Sequence, residues 1–104
     1  MVFDMRFIPN PYYQENLRDK SGLDEEVKDY VLSFPRTRFF LQSVSDLVNE
    51  LAKYYLEQDK RHLVIALGCT GGRHRSVAVG EELYRLFLQQ QHCVTIEHRN
   101  VKMT

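Results

Sequence analysis

The sequence predicts an α/β domain with a small parallel sheet in three layers and a glycine-rich phosphate-binding loop at the carboxyl edge of that sheet. The first observation behind this prediction is the order of elements along the 104 residues, which is strand, two helices, strand, helix, strand. Strands that alternate with helices favour parallel pairing through right-handed crossovers. The second observation is a glycine cluster that directly follows an apolar run and precedes a helical pattern.

Each element is predicted from the spacing of its apolar residues. Residues 2–8 alternate apolar and polar side chains, as in a strand with one polar face, and Pro9-Asn10-Pro11 ends it. Residues 63–67 are apolar without alternation, which is typical of a strand covered on both faces, and 93–97 predict a last strand. Three helices are predicted from Leu23, Val27, Tyr30 and Val31, then, after Pro35, from Leu41, Val44, Val48, Leu51 and Tyr55, and finally from Val79, Leu83, Leu86 and Phe87.

The composition indicates one ordinary globular domain over residues 1–104. Fourteen basic and fourteen acidic residues balance, so any nucleic-acid binding depends on a local basic patch. Cys69 and Cys93 are too few for a disulfide framework and form no metal motif, which favours a reducing, cytoplasmic setting without metal or cofactor. Charged residues near the N-terminus argue against a signal peptide, and no apolar run approaches membrane-spanning length.

The loop after the second predicted strand is the strongest functional signal. Backbone N–H groups of a glycine-rich loop and of a helix N-terminus bind anions, and an arginine can hold two phosphate oxygens at once. We therefore predict a phosphate site. Its predicted residues are Cys69, Thr70, Gly71, Gly72, Arg73, His74, Arg75 and Ser76.

The carboxyl ends of parallel strands share one edge, so we expect further side chains to reach the same pocket. Each of them also has a simpler explanation: Asn10 as a plain turn residue, Tyr12 as cover for the core edge, Asp4 and Arg6 as an ion pair, and His98 and Arg99 as a solvated strand end. The additional pocket residues are Asp4, Arg6, Asn10, Tyr12, His98 and Arg99.

An enzymatic alternative stays open. Cys69, Gly72, Arg75 and Ser76 fit the C-x-x-G-x-x-R-S loop of protein tyrosine phosphatases, in which a cysteine thiolate attacks phosphorus. Gly68 stands where such enzymes often have histidine, and only Asp19 or Asp24 offers a general acid. We therefore expect no meaningful phosphatase turnover. Separately, the nucleotide-binding motif G-x-x-x-x-G-K-[ST] is absent from the sequence.

Four segments together resemble the C-terminal domain of the RapZ/YvcJ family of RNase adapter proteins. They are residues 3–13, Ser21-Gly22-Leu23-Asp24, the loop 68–76 and the pair His98-Arg99. The resemblance implies a phosphosugar pocket for glucosamine-6-phosphate, with Thr70, Gly71, His74 and Arg75 as its main contacts and Asp4 and Tyr12 nearby.

The resemblance also implies macromolecular partners. In the family this domain follows a P-loop nucleotide-binding domain, which is absent from this sequence. The family's domain binds small regulatory RNA and RNase E. The resemblance further implies a homo-oligomer with a regulatory role. The RNA-binding residues would be Arg73, Arg99 and Lys102. The chain lacks the lysine- and arginine-rich tail that family members often carry, and so few cations predict weak, salt-sensitive RNA binding.

Overall fold

A computed structural model describes residues 1–58 and 62–99, and within them it contains three α-helices and a two-stranded parallel sheet. Two 3-10 turns, Met5–Phe7 and Pro11–Tyr13, follow the first strand. The α/β class and the parallel pairing are therefore confirmed. The strands are β1 (Val2–Asp4) and β2 (Ala66–Gly68), and the helices are α1 (Glu25–Leu32), α2 (Pro35–Glu57) and α3 (Arg75–Gln89).

The strand predicted over residues 2–8 is shorter than expected. In the ladder Val2 pairs with Ala66 and Asp4 with Gly68, and β1 ends there. The Asp4 side chain accepts a hydrogen bond from the Arg6 backbone N–H at 2.9 Å and caps the turn Met5–Phe7. Such local side-chain bonds compete with the ladder, so the chain leaves the sheet four residues early.

The strand predicted over residues 63–67 is displaced to Ala66–Gly68, because it extends only as far as its partner β1. Its burial alternates: Val64 is 74% exposed and Ala66 is exposed, while Ile65 and Leu67 pack against the core. Phe3, the register partner of Leu67, faces the same core. The prediction that both faces of this strand are covered is wrong, and helices α2 and α3 pack on one face.

The third strand, predicted over residues 93–97, is not formed within the described chain. Val94 packs against the core, whereas Ile96 and His98 lie beside Gly80 of α3. The alternating apolar residues of this segment are thus partly covered by contact with a helix, without a ladder partner.

The three predicted helices are confirmed, and each buries part of the apolar stripe that predicted it. Pro35 is the first residue of α2, where its missing N–H and fixed φ suit a helix start. Leu23, expected on the apolar face of α1, instead precedes that helix and is 47% exposed. The buried stripes are Val27 and Val31 in α1, Leu41, Val44 and Val48 in α2, and Val79, Leu83 and Phe87 in α3.

Gly22 presses the segment before α1 against the start of α3. Its N–H donates to the carbonyl oxygen of Arg73 at 2.7 Å. A Cβ atom at this position would lie 2.5 Å from both the Ala78 nitrogen and the His74 oxygen. This contact fixes the beginning of α3, where the glycine-rich loop ends.

Across the described ranges, no helix is both long enough and apolar enough to cross a membrane.

Candidate functional site

The loop between β2 and α3 turns through two glycines in left-handed conformation. Gly71 has φ of 77° and Gly72 has φ of 66°, a region that side chains with a Cβ rarely adopt. Helix α3 then begins at Arg75. The turn therefore brings the start of α3 close to the carboxyl end of β2.

Arg75 is the most buried cation near this loop, with 4% of its surface exposed. Its Nη1 donates to the carbonyl oxygen of Ile8 at 3.0 Å, in the segment that follows β1. Its Nε is buried and has no hydrogen-bond partner in the described residues. A buried charged donor without a partner is costly, so this atom marks a place where an acceptor would bind.

An open cleft of about 430 Å³ lies between the segment after β1 and the loop after β2. Three of its side chains are guanidinium groups, and Arg36 among them also donates to the carbonyl oxygen of Phe7 at 3.0 Å. Asp4 balances the charge of Arg6, so Arg36 and Arg75 are the cations that suit the cleft to an anion. It is lined by Arg6, Phe7, Ile8, Pro9, Asn10, Tyr13, Arg36, Thr70 and Arg75.

Asp4 and Arg6 form an ion pair, as the simpler explanation predicted. The guanidinium nitrogens donate to both carboxylate oxygens, with Nη2 at 2.7 Å from Oδ2 and Nε at 3.0 Å from Oδ1. Hydrogen bonds from the Arg6 side chain and backbone lower the pKa of Asp4 to about 2, and the charges of Arg6 and Arg75 add to this. Asp4 is thus an ionised carboxylate near the cleft and no proton donor at neutral pH.

Asn10 and Tyr12 are held by local contacts. Asn10 Oδ1 accepts a hydrogen bond from the Tyr12 N–H at 3.0 Å, which caps the second 3-10 turn. The Arg18 guanidinium lies 4.9 Å from the centre of the Tyr12 ring, a cation–π contact. Asn10 also lines the cleft, while the tyrosine that does so is Tyr13.

The Cys69 sulfur lies against the start of α3. Its Sγ accepts a hydrogen bond from the Ser76 N–H at 3.4 Å and lies 3.3 Å from Ser76 Oγ. Burial raises the pKa of this thiol. The hydrogen bond with the Ser76 side chain, those from the Ser76 and Gly72 N–H groups and the charge of Arg75 outweigh burial, so the pKa is lowered overall. The arrangement thus makes the thiol more acidic than a free cysteine.

Arg73 and His74 contact the segment before α1 instead of lining the cleft. Arg73 Nη2 donates to the carbonyl oxygen of Asp19 at 3.2 Å. His74 is 6% exposed, and burial lowers the pKa of its imidazole, although backbone groups of residues 17–20 act in the opposite direction. His74 is therefore a neutral, buried side chain at neutral pH.

The predicted residues at the chain's end lie elsewhere on the molecule. His98 Nε2 is 3.7 Å from Glu81 Oε2 on α3, close enough for an ion pair when protonated but too far for a hydrogen bond. The exposed Arg99 has its Nε 3.9 Å from Glu97 Oε1. Lys102 lies outside the described residues. Of the predicted set, Arg6, Asn10, Thr70 and Arg75 line the cleft.

Comparison with known proteins places the chain in a family. A family model described as the RapZ C-terminal domain matches residues 1–102. The chain belongs to the RapZ C-terminal domain family.

Proteins named nucleotide-binding protein are similar to it: one from Acetivibrio thermocellus is 50% identical over 101 residues, covering 97% of this chain and 35% of the relative. Another from Caldicellulosiruptor bescii is 51% identical over 102 residues, covering 98% and 35%. The chain spans about a third of the length of these curated relatives.

Arg36 is a cleft residue of this RapZ C-terminal domain that the sequence reasoning missed. It stands in the first turn of α2, far in the chain from both loops. The positive end of the helix dipole disfavours a cation there, and α2 has no acidic residue in its first turn to compensate. A cation at the start of a helix therefore indicates that a tertiary contact holds the side chain there. For Arg36 this contact is the hydrogen bond to the Phe7 carbonyl oxygen.

An exposed aromatic groove adjoins the cleft and shares Phe7 and Arg36 with it. The Phe40 ring packs edge-on against Phe3 at 5.2 Å between centroids, and Phe39 is 75% exposed. The groove has a volume of about 380 Å³. It is lined by Phe3, Phe7, Arg36, Phe39, Phe40, Ser43, Val44 and Leu47.

Proposed function

We propose that this chain binds a phosphorylated metabolite in the cleft between the segment after β1 and the loop after β2. The observation that carries the proposal is Arg75, which is 4% exposed and whose buried Nε has no partner among residues 1–58 and 62–99, while its Nη1 donates to the Ile8 carbonyl oxygen. Phosphate oxygens supply the missing acceptor and compensate the buried charge. Arginine suits this role because its fork of donors matches two oxygens of one phosphate.

The other cleft residues support the same ligand class. Arg6 and Arg36 add two more guanidinium groups, and Thr70 adds a hydroxyl. The N-terminus of α3, where Arg75 stands, contributes the positive end of its helix dipole, which favours a dianion. A volume of about 430 Å³ is within the range of small-ligand pockets and exceeds what a bare phosphate needs, so a sugar fits beside it.

We propose glucosamine-6-phosphate, an amino-sugar phosphate, as the ligand. Asp4 is ionised and near the cleft, so its carboxylate can pair with an ammonium group on the sugar as well as with Arg6. Asn10 and Tyr13 offer hydrogen bonds to sugar hydroxyls. Membership in the RapZ C-terminal domain family supports a sensing role for such a site.

Calorimetric titration with three ligands tests the two halves of this proposal. We expect glucosamine-6-phosphate to bind most tightly, glucose-6-phosphate several-fold more weakly, and glucosamine without phosphate not measurably. Arg75→Met should weaken glucosamine-6-phosphate binding more than about tenfold. Arg85→Met is the matched control, because Arg85 lies on the same helix and pairs with Glu82. Equal binding of all three ligands, or of both variants, would overturn the proposal.

Cysteine-dependent phosphatase activity is the second candidate, and the Cys69–Ser76 contacts favour it. The hydrogen bond from the Ser76 N–H to the Cys69 sulfur, which helps to lower the pKa of the thiol, supports such a nucleophile. The proton donor is the weak part: Asp24 Oδ2 accepts from the Ser21 N–H, and neither Asp24 nor Asp19 lines the cleft. We expect turnover of an aryl phosphate at background level; turnover that Cys69→Ser abolishes would establish the enzyme instead.

We also propose that the chain binds RNA. The family resemblance supports small regulatory RNA and RNase E as partners, yet the Arg73 guanidinium already donates to Asp19. A footprint of roughly three or four phosphates loses most of its affinity between low and physiological salt. Tight binding would then need further domains or several copies. Gel shifts with a structured small RNA at two salt concentrations test this, and tight, salt-insensitive binding would contradict it.

Homo-oligomerisation, also implied by the resemblance, is supported by the exposed aromatic groove. Large exposed apolar patches on a domain mark association surfaces. We propose that the groove contributes to contact between copies, with Phe39 as its most exposed ring. Light scattering should show Phe39→Ser dissociating an assembly that the wild type forms; a wild type that stays monomeric at high concentration would contradict this.

A further inference from the structure

Helix α2 presents an exposed stripe whose spacing is symmetric about Ser43. Its members are all exposed, Phe39 to 75% and Leu47 to 45%, and they follow one another at intervals of three, four, four and three residues. These intervals keep them on one side of the helix, which is the pattern by which one helix packs on another. The stripe consists of Arg36, Phe39, Ser43, Leu47 and Glu50.

The symmetry makes the stripe complementary to itself in one orientation. Arg36 and Glu50 are each seven residues from Ser43, and Phe39 and Leu47 are each four residues from it. When two copies of α2 lie antiparallel with Ser43 on a two-fold axis, Phe39 of one copy lies opposite Leu47 of the other. Arg36 then lies opposite Glu50 at both ends of the contact. A parallel pair would instead bring Arg36 to Arg36 and Glu50 to Glu50, which is unfavourable.

Arg36 and Glu50 can pair across such a contact without giving up their own neighbours. Arg36 uses Nη1 for the Phe7 carbonyl oxygen at 3.0 Å, and a guanidinium group has several further N–H donors. Glu50 Oε2 lies 3.2 Å from Lys53 Nζ, and Glu50 Oε1 accepts from the Tyr54 hydroxyl at 3.0 Å. This exposed ion pair contributes little by itself, and each carboxylate oxygen has another lone pair for a further donor.

The aromatic groove beside the stripe provides the apolar part of the contact. The Phe40 ring, whose centroid is 5.2 Å from that of Phe3 and 5.7 Å from that of Phe7, forms one wall of the groove. Phe39 and Leu47 also line it and are exposed in a single copy. In the antiparallel pair each groove receives apolar side chains of the other copy's stripe, so both exposed apolar surfaces are removed from water.

We propose that two copies of this chain form a dimer through antiparallel α2 helices, with Ser43 on the two-fold axis and Arg36 of each copy facing Glu50 of the other. This inference rests on the proposed contact between copies, and it gives that contact its orientation and register. A helix of a different protein would need the same stripe in reverse order, with its acidic end against the basic end of this one. The chain's own α2 already meets that requirement.

Two charge reversals test the pairing of Arg36 with Glu50. Arg36→Glu makes both ends of the stripe acidic and Glu50→Arg makes both ends basic, so each variant alone opposes like charges twice. We expect sedimentation equilibrium to give each variant a dimer dissociation constant at least about tenfold above that of the wild type. An equimolar mixture of the two variants opposes unlike charges at both ends, so native mass spectrometry should find mainly heterodimers.

Two further chains separate this register from a general effect of charge. The double variant with Arg36→Glu and Glu50→Arg keeps the wild-type net charge and restores both pairs, so it should dimerise within about threefold of the wild type. Arg38→Glu makes the same charge change off the stripe, where the Arg38 guanidinium donates to the Leu32 carbonyl oxygen, and it should dimerise as the wild type does. Circular dichroism shows whether each variant keeps its helices.

If a reversal disrupts folding, disulfide formation between copies decides alone. In a chain with Cys69→Ser and Cys93→Ser, we expect Ser43→Cys to give a disulfide-linked dimer under mild oxidation, because a residue on the axis meets its own counterpart. Arg38→Cys in the same background should not. Absence of the Ser43→Cys dimer would overturn the proposal.

The outcomes distinguish this register from the contact on which it rests. A wild type that stays monomeric at high concentration would overturn both. Dimers that Phe39→Ser dissociates but that the charge reversals leave unchanged would overturn the antiparallel register alone. A mixture of the two reversed chains that shows no preference for heterodimers would do the same.

Discussion

Arg75 Nη1 donates to the carbonyl oxygen of Ile8 at 3.0 Å and joins two positions 67 residues apart in the chain. Arg75 is the first residue of α3, and Ile8 ends the turn that follows β1. One side chain thereby links the two loops that leave the parallel sheet at the same edge. The cleft between those loops depends on this link for its shape.

Loss of the Arg75 link should destabilise the fold. Arg75→Met keeps the length of the side chain but leaves the buried Ile8 carbonyl without that donor, so we expect the free energy of unfolding to fall by about 1–3 kcal/mol. Urea unfolding measures the change. Arg85→Met should stay within about 0.5 kcal/mol of the wild type, because Arg85 is exposed and its ion pair with Glu82 lies within one helix. A more stable Arg75→Met chain would mean that the desolvation of the buried charge outweighs its hydrogen bond.

Arg36 should contribute to anion affinity although it is distant in sequence from the loop. Arg36→Gln removes one of the three guanidinium charges of the cleft, and we expect the affinity for glucosamine-6-phosphate to fall by about three- to tenfold. Arg38→Gln is the matched control, because Arg38 lies in the same helical turn but donates to the Leu32 and Ser33 carbonyls. Equal losses in the two variants would point to general charge rather than to a defined site.

Gly22 should tolerate no side chain. In Gly22→Ala the new Cβ would lie 2.5 Å from backbone atoms of His74 and Ala78, so α3 must shift and we expect a loss of about 2–3 kcal/mol in unfolding free energy. Gly68→Ala is the control, because a Cβ there meets no atom within 4 Å. Denaturant unfolding compares them; a Gly22→Ala chain as stable as Gly68→Ala would contradict the close packing.

Burial of His74 should make the fold sensitive to mild acid. Burial lowers the pKa of His74 below its ordinary value of 6.5, so the unfolded chain takes up the proton first as the pH falls. The stabilisation is therefore complete above about pH 6.5 and decreases as the pH drops from there toward the folded-state pKa. Unfolding curves measured between pH 8 and pH 5 should show that the free energy of unfolding decreases less in His74→Gln than in the wild type. In His62→Gln, which changes an exposed position, this free energy should decrease as much as in the wild type.

The helices were predictable because their apolar stripes are local and periodic, as Val27 and Val31 or Leu83 and Phe87 show. The strands were not, since their ends depend on competing contacts. Asp4 capping the next turn ends β1 early, and β2 can be no longer than its partner. The segment 93–97 has a strand-like pattern whose apolar residues contact α3 instead.

The candidate site was predictable only in part for a related reason. The Cys69–Ser76 contact follows from a short motif within one loop, and Arg75 from its place in that motif. Arg36 and Tyr13 enter the cleft through packing between distant segments, which no local pattern records. Conversely, Arg73 and His74 share the motif but turn toward residues 17–20, because Gly22 draws that segment against α3.

The most direct test of anion binding is the Arg75 Nε–H resonance in ¹⁵N NMR spectra of the chain titrated with glucosamine-6-phosphate. The Nε lacks a partner in the described structure and should gain one when the phosphate binds. We predict that this resonance and the backbone amides of residues 70–76 shift together and saturate at one concentration, while the Arg85 Nε–H stays in place. Saturable shifts centred on other residues, with the Arg75 Nε–H unmoved, would contradict the proposed site.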